Sequence, residues 1–292
     1  MIADAHCHAW KNWPYDVKVP DARHRGSIEG LLYEMDTHGV QLSAVVCARI
    51  GGGRGGEGYP NQDNNEYVSD FARSHPDRFT SWVDVDCSWQ PEHHLKGSVD
   101  RFKKIIDRNN PSGFTHYFNQ FNDGWLTSSE GIAFFELAAE RQLIASLAIG
   151  KNWFQDLGMV AKNNPTLPIL IHHMSMPAKE FDGYSTADLE ALKKLSDYKN
   201  IGVKISGFNY NSKKYWDYPY SDSRQLFEKI YNIFGASRLY WGSDFPASRD
   251  QITYTQAIEV VKNESNFLKG EEIESILGRN LINLLKNPNI TI

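Results

Sequence analysis

The segment Asp-Ala-His-Cys-His at residues 4–8 is the first candidate for chemistry, and it ends a short apolar run typical of a strand. Because alternate side chains of a strand lie on one face, Asp4, His6 and His8 are expected to point the same way. Two neighbouring imidazoles form half of a site for zinc or a similar ion. A lone His-x-His pair more often belongs to packed or surface histidines, so the other ligands must come from elsewhere.

Two later apolar runs also end in polar residues that could do chemistry. His172 and His173 end one of these runs, and Asp244 follows the other. A carboxylate at such a position either binds a metal or removes a proton from water. The alternative is that Asp244 caps the next helix, as aspartate often does. Pro246 and the late start of that helix, near Gln251, favour the chemical interpretation.

The apolar runs alternate with helix-period segments along the whole chain, which predicts βαβ units and a parallel sheet. Eight such units in 292 residues indicate a closed (β/α)₈ TIM barrel of the α/β class, one domain over residues 1–292. An open doubly wound sheet is the structural alternative. The predicted strands are 2–8, 42–48, 79–85, 113–118, 143–149, 167–172, 201–206 and 239–242. The predicted helices are 28–38, 64–74, 99–108, 129–141, 154–162, 186–196, 223–234, 251–263 and 271–285.

The composition restricts the classes of partner. The chain has 31 basic and 36 acidic side chains, a net charge of −5, and its basic residues are scattered, which argues against nucleic acid. No apolar run reaches the length of a membrane span, and residues 1–4 do not resemble an export signal, so we expect a cytoplasmic protein. Three cysteines without a CxxC pair predict free, buried thiols. The expected partner is a small-molecule substrate, with a homo-oligomer possible.

The strand order brings these polar residues together, because the carboxyl ends of all barrel strands meet at one mouth. His-x-His on the first strand, histidine on the sixth and aspartate on the eighth resemble the amidohydrolase superfamily. The resemblance is to its amidohydrolase-2 branch of TIM-barrel hydrolases and decarboxylases, and it extends to Ile-Leu-Gly-Arg-Asn-Leu-Ile-Asn-Leu-Leu at 276–285. Trp-Gly-Ser-Asp-Phe-Pro at 241–246 and Val-Lys-Ile-Ser-Gly at 203–207 resemble its lactonase-like subgroup, which opens sugar and dicarboxylate lactones.

The resemblance implies roles for the residues at the mouth. His6 and His8 match metal ligands, Asp244 matches a catalytic base or shared ligand, and His173 matches the histidine of the sixth strand. His172 stands where lactonases often have aspartate, so its role is open. The fourth strand has no lysine for a bridging carbamate and the fifth has no histidine. The family pattern therefore implies at most one divalent metal, zinc or manganese, and some lactonases of this type work without one.

The expected reaction is hydrolysis of a lactone or related cyclic ester. Asp244 would take a proton from water and deliver it to the leaving alkoxide, while His173 would hold the substrate carbonyl or stabilise the developing oxyanion. A decarboxylase or hydratase on the same barrel is the alternative enzyme, although the missing histidine on the fifth strand counts against decarboxylation. The alternative that is not an enzyme is a catalytically inactive barrel that serves as a binding or assembly protein.

The expected substrate contacts are polar residues near strand ends: Arg49, His116, His172 and Lys204. Arg49 suits two-pronged binding of a carboxylate, with a surface salt bridge as the alternative. Lys204 lies within a predicted strand, where it either points inward or packs against a helix.

The glycine-rich segment 51–58 contains a GxGxxG pattern but no helix opens at its last glycine. A mobile active-site loop is therefore preferred to a dinucleotide site. Trp10, Trp13 and Tyr15 follow the first strand and either form a wall of the pocket or belong to the core.

Overall fold

The computed structural model describes residues 1–288 and shows one eight-stranded sheet whose neighbouring strands are all parallel. Its order follows the chain without reversal, which is the order of a (β/α)₈ barrel and excludes the doubly wound alternative. The strands are β1 Ile2–Cys7, β2 Val40–Cys47, β3 Phe79–Asp84, β4 Gly113–Tyr117, β5 Ile144–Ala148, β6 Ile169–Ile171, β7 Ile201–Ile205 and β8 Leu239–Trp241. A two-residue antiparallel pair, Lys179–Glu180 with Gly183–Tyr184, lies outside this sheet.

Helices follow the strands as the periodicity predicts. They are α1 Ile28–His38, α2 Asn64–Ser74, α3 Ser98–Asn109, α4 Ser129–Glu140, α5 Phe154–Asn163, α6 Thr186–Leu195, α7 Phe208–Asn211, α8 Ser221–Phe234, α9 Tyr254–Lys262, α10 Gly270–Glu274 and α11 Asn280–Lys286. The predicted helix 271–285 is interrupted by a π-helical segment, Ser275–Arg279. The prediction of a (β/α)₈ barrel is confirmed.

Two backbone hydrogen bonds join the carboxyl ends of β1 and β8. The Asp244 N–H donates to the His6 carbonyl and the His8 N–H donates to the Phe245 carbonyl, both at 2.7 Å. The backbone that closes the barrel therefore carries the candidate chemical groups. We refer to this junction, residues 4–8 with 243–245, as the seam.

A β-bulge in β1 corrects the expected direction of Asp4. Between Asp4 and Cys7, β1 has one residue more than the facing stretch of β2. Asp4 Oδ1 accepts the His6 N–H at 3.0 Å, and Asp4 Oδ2 accepts the hydroxyl of Tyr254 on α9 at 2.9 Å. The prediction that Asp4 shares a face with His6 and His8 is wrong, because the extra residue turns Asp4 toward the helices.

The barrel interior is filled by small and aromatic side chains, so it is a packed core. Its buried members are Ala3, Ala5, Ala44, Val46, Trp82, Ile144, Leu170, Tyr240, Leu281 and Leu284. Cys7, Cys47 and Cys87 are free and buried, as expected, and burial raises the pKa of each thiol well above its ordinary value. Among residues 1–288, no helix is both long enough and apolar enough to cross a bilayer.

Candidate metal and catalytic site

His6, His8 and Asp244 form a compact group beside the seam. Asp244 Oδ1 lies 3.4 Å from His6 Nε2 and 3.3 Å from His8 Nε2. Two ligands of a tetrahedral zinc ion, each about 2.0–2.1 Å from the metal, are about 3.3 Å apart. The three side chains are almost completely buried. Their spacing fits a shared divalent ion.

The second ring nitrogens of both histidines support this fit. His8 Nδ1 lies 2.9 Å from the Val46 carbonyl, which can only accept, so the Nε2 lone pair is free to bind a metal. His6 Nδ1 lies 3.1 Å from Lys204 Nζ, and the buried His6 Nε2 has no hydrogen-bond partner among residues 1–288. Burial lowers the pKa of Lys204 well below its ordinary value, which favours the neutral amine. With a neutral amine as acceptor, the His6 proton lies on Nδ1 and the lone pair on Nε2. An unpaired buried nitrogen aimed at a carboxylate suits a metal ligand.

Asp244 does not cap a helix. The next helix, α9, is capped by Thr253, whose hydroxyl accepts the Gln256 N–H. Asp244 Oδ2 accepts the Tyr210 hydroxyl at 2.5 Å. Burial alone would raise the pKa of Asp244, but the neighbouring His173 and His8 rings and the Tyr210 hydroxyl outweigh it, so the pKa lies below its usual range. Asp244 is therefore ionised at neutral pH.

His173 adds a second set of nitrogen donors, in which His6, His172 and His173 each offer an atom within 4.8 Å of the others. Its Nδ1 lies 3.0 Å from the hydroxyl of Ser206, which follows β7. Residues 173–176 all have positive φ angles between 44° and 60° without a glycine among them. Such conformations are strained, and they persist where the surrounding structure holds them for function.

His172 and Lys204 lie inside the barrel rather than at its open side. His172 Nε2 lies 2.6 Å from the Ser146 hydroxyl, which also accepts from Lys204 Nζ at 2.6 Å. Lys204 is fully buried, with its Nζ 4.3 Å from the centre of the Trp82 ring. Both of its hydrogen-bond partners are protein groups, including His6. The structure therefore places Lys204 Nζ, fully buried, between His6 and Ser146 and not where the predicted substrate contact would require it.

Arg49 lies at the end of β2 beside a buried carboxylate. Its Nε is 3.7 Å from Asp84 Oδ1, and its backbone N–H donates to Asp84 Oδ2 at 2.8 Å. Trp89 also donates to Asp84, at 2.9 Å. Arg49 thus forms the ion pair that was the alternative to substrate binding, although the Asp84 side chain is fully buried and that of Arg49 is one-fifth exposed.

His116 does not join the site, contrary to the prediction that it contacts substrate. Side chains alternate along β4, and its neighbour Tyr117 packs against His172 with ring centres 5.1 Å apart. His116 lies on the other face, against Trp125 and Phe134. The period of two along the strand therefore turns His116 toward the helices.

Three tyrosines lie close enough to Asp244 to be affected by its charge. Desolvation of the phenol, followed by the negative charge of Asp244, raises the pKa of Tyr15, Tyr117 and Tyr210, although the Tyr15 side chain as a whole is 38% exposed. These phenols are therefore protonated donors at neutral pH. Only the position of Tyr15 after the first strand gave a signal in the sequence. Trp10 stacks on His8 with ring centres 5.1 Å apart and forms the adjoining wall.

The glycine-rich segment 51–58 packs against the Tyr15 region. The Gly58 N–H donates to the Pro14 carbonyl, and the Tyr59 N–H donates to the Trp13 carbonyl. A Cβ on Gly58 would lie 2.5 Å from the Trp13 oxygen, which is why this position requires glycine. The segment therefore holds the Tyr15 wall in place.

We expect the metal-free protein to lose stability as the pH falls below about 6.5. Burial lowers the pKa of His173 to about 4, so between these values the unfolded chain binds a proton that the folded chain does not. The free energy of unfolding therefore falls on acidification, and His173 alone lowers it by about 2 kcal/mol at pH 5. Urea unfolding at pH 7 and pH 5 should show a smaller loss in His173→Gln. The exposed control His24→Gln should match wild type, and equal losses in all three proteins would contradict this origin.

The barrel and its polar mouth are those of an enzyme built on a (β/α)₈ scaffold, and the sequence matches the amidohydrolase family model over residues 3–286. The chain therefore belongs to the amidohydrolase family, which confirms the predicted class of hydrolase. The L-fucono-1,5-lactonase of Burkholderia ambifaria is 26% identical over 271 residues, covering 84% of this chain and 80% of that protein.

Two crystal structures show the same fold. A protein described as a probable 2-pyrone-4,6-dicarboxylic acid hydrolase from Acinetobacter baumannii, with citric acid bound, has a TM-score of 0.75 at 18% identity, covering 98% of this chain and 99% of that one. An amidohydrolase from Burkholderia multivorans with bound zinc has a TM-score of 0.73 at 16% identity, covering 99% and 100%.

Proposed function

We propose that this protein hydrolyses a lactone or related cyclic ester of the sugar-acid or dicarboxylate type. The observation that carries the proposal is an ionised Asp244 whose Oδ1 faces two histidines and whose Oδ2 is held by Tyr210. The lactonase and the pyrone-dicarboxylate hydrolase among the similar proteins support this substrate class.

Each residue has a task in this reaction. Asp244 accepts a proton from the attacking water and later delivers it to the ring oxygen that leaves as an alkoxide. When the Ser206 hydroxyl donates to His173 Nδ1, the Nε2–H of His173 becomes a donor for the developing oxyanion. The products are a free carboxylate and a hydroxyl on one open chain.

His6, His8 and Asp244 would hold one divalent metal, zinc first and manganese second. Such an ion would lower the pKa of water and polarise the ester carbonyl. If hydrolysis proceeds without it, His173 donates a hydrogen bond, His6 and His8 do so when their protons lie on Nε2 rather than Nδ1, and Asp244 is still the base.

The test is acid release in a pH-stat with a panel of sugar-acid 1,4- and 1,5-lactones and pyrone dicarboxylates, with carbon dioxide measured in parallel. We expect one equivalent of acid per ring opened and no carbon dioxide. Carbon dioxide from a carboxylated substrate, with no acid release from any lactone, would instead establish the decarboxylase alternative. The metal content of wild type and His6→Ala then separates the metal-dependent route, where one equivalent is lost, from the metal-free route.

A further inference from the structure

A second group of three histidines lies outside the catalytic site. His93 and His94 belong to the segment between β3 and α3, and His116 is on β4. One ring nitrogen of each lies within 4.8 Å of the other two, and His94 Nε2 is 3.1 Å from His116 Nε2. The side chain of His116 faces the helices, so this group does not share the barrel mouth.

Hydrogen bonds to backbone carbonyls determine which nitrogen is protonated in two of these rings. His93 Nδ1 lies 2.7 Å from the Asp86 carbonyl and His116 Nδ1 lies 2.7 Å from the Val85 carbonyl. A carbonyl only accepts, so each neutral ring carries its proton on Nδ1 and has a lone pair on Nε2. His93 Nε2 is buried and has no hydrogen-bond partner within the described part of the chain.

The third ring is oriented by a carboxylate. His94 Nδ1 lies 2.7 Å from Asp123 Oδ2, which again places the proton on Nδ1 and the lone pair on Nε2. His94 Nε2 and His116 Nε2 are 3.1 Å apart, and with the proton of each neutral ring on Nδ1 both atoms offer a lone pair. This distance is close to the separation of about 3.3 Å between two ligands of a tetrahedral zinc ion.

The segment that carries two of these histidines is held in place by Arg101. Its guanidinium donates to the Asp86 carboxylate, with the shortest contact at 2.7 Å. It also donates to the carbonyls of Glu92, Leu95 and Lys96. The segment is therefore held by contacts that do not depend on a ligand. The rings of His93 and His94 stack with their centres 3.7 Å apart, so one of them must rotate about its side-chain bonds before both Nε2 atoms can bind one ion.

We propose that His93, His94 and His116 bind a second divalent ion of the zinc class through their Nε2 atoms. Three imidazole nitrogens favour zinc, cobalt or nickel over magnesium and calcium, which prefer oxygen. Asp123 and the two carbonyls act as the outer partners that orient metal-binding histidines. A surface cleft of about 460 Å³, lined in part by His94 and Asp123, gives access and leaves the fourth position to water. The ion would fasten the segment before α3 to β4.

The test is titration of the chelator-treated full-length protein with Co²⁺, followed by visible absorption of the tetrahedral ion. His6→Ala is the background, because His6 belongs to both donor sets of the mouth. We expect this variant to bind one equivalent, and His6→Ala with His94→Phe to bind at least 100-fold more weakly. Phenylalanine preserves the stacking of His94 on Trp125, whose ring centres are 4.3 Å apart. Asp123→Asn should weaken binding 10- to 100-fold, and His24→Gln should leave it unchanged.

Two results would overturn the second site: no Co²⁺ binding in His6→Ala, or equal binding with and without His94→Phe. Because the Asp123 side chain is about half exposed, Asp123→Asn tests the site even if a core substitution disturbs folding. A matching readout is the melting temperature, which Zn²⁺ should raise in His6→Ala but not after His94→Phe is added. Loss of lactone hydrolysis does not enter these measurements, so the two proposals fail independently.

Discussion

Asp244→Asn should lower the rate of lactone hydrolysis by about 10³-fold or more while the protein remains folded. The amide cannot take a proton from water, and it removes the negative charge shared between His6 and His8. Asparagine has the same size as aspartate and still accepts from Tyr210, so the packing is preserved. The measurement is kcat and KM on the best lactone of the panel, together with the circular dichroism spectrum and melting temperature.

The matched control is Asp250→Asn, another aspartate of the same region, whose exposed carboxylate pairs with Arg25 on the surface. This variant should keep wild-type turnover, because an exposed ion pair contributes little to stability and lies outside the site. If Asp244→Asn also retained near-wild-type turnover, Asp244 could not be the base, and the proposed mechanism would be wrong.

Asp4→Ala should destabilise the protein by about 3 kcal/mol or more, because it leaves several buried donors without an acceptor. Asp4 accepts the Ser243 hydroxyl at 2.5 Å, the Tyr254 hydroxyl at 2.9 Å, and the N–H groups of His6 and Ser243, each at 3.0 Å. These bonds tie β1 to the residue before Asp244. Urea unfolding measures the loss, and turnover should fall with it because the seam positions Asp244.

Asp4→Asn is the matched control, because asparagine keeps the size of the aspartate side chain and one carbonyl oxygen that can accept hydrogen bonds. Burial raises the pKa of Asp4 to about 6, so its charge is costly in the folded protein and the neutral amide removes that cost. We expect Asp4→Asn to be closer to wild type in stability than Asp4→Ala. If Asp4→Ala unfolded at the wild-type urea concentration, Asp4 would not hold the seam.

The fold could be predicted from sequence because the strand signals are local. Eight short apolar runs stand between helical periods, and even the weaker run at 113–118 corresponds to β4. The π-helical interruption of the last predicted helix had no local signal. A Cβ on Gly278 would lie 2.7 Å from the Met1 carbonyl oxygen, so this segment is shaped by its close approach to the start of β1.

The site could be predicted where it depends on strand ends and not where it depends on side-chain direction. His6, His8 and Asp244 follow from the position of the strands in a barrel. The direction of the Asp4 side chain could not be predicted without the β-bulge in β1, and no single residue type indicates a bulge. To predict the direction of the His116 side chain, one needs to know which residues of β4 face the barrel interior, and not only that β4 exists.

The functional candidates outside the strands were the hardest to predict from the sequence. Tyr210 lies on the short helix α7, which begins after Gly207 in the left-handed region at φ 69°. His93 and His94 lie in an irregular segment whose path depends on Arg101, and adjacent histidines alone do not indicate convergence with a residue on the next strand. Tertiary contacts therefore decide which of these side chains can do chemistry.

The seam also bears on how this protein is made. Ser243 and Asp4 are 239 positions apart in the chain, so the base and its two histidines can meet only after β8 has been synthesised and has docked. Contacts of such long range are slow to form, because the entropy of closing the intervening loop must first be overcome. On the ribosome, a chain that still lacks β8 thus cannot bring His6, His8 and Asp244 together, and we expect the proposed activity only once β8 is present.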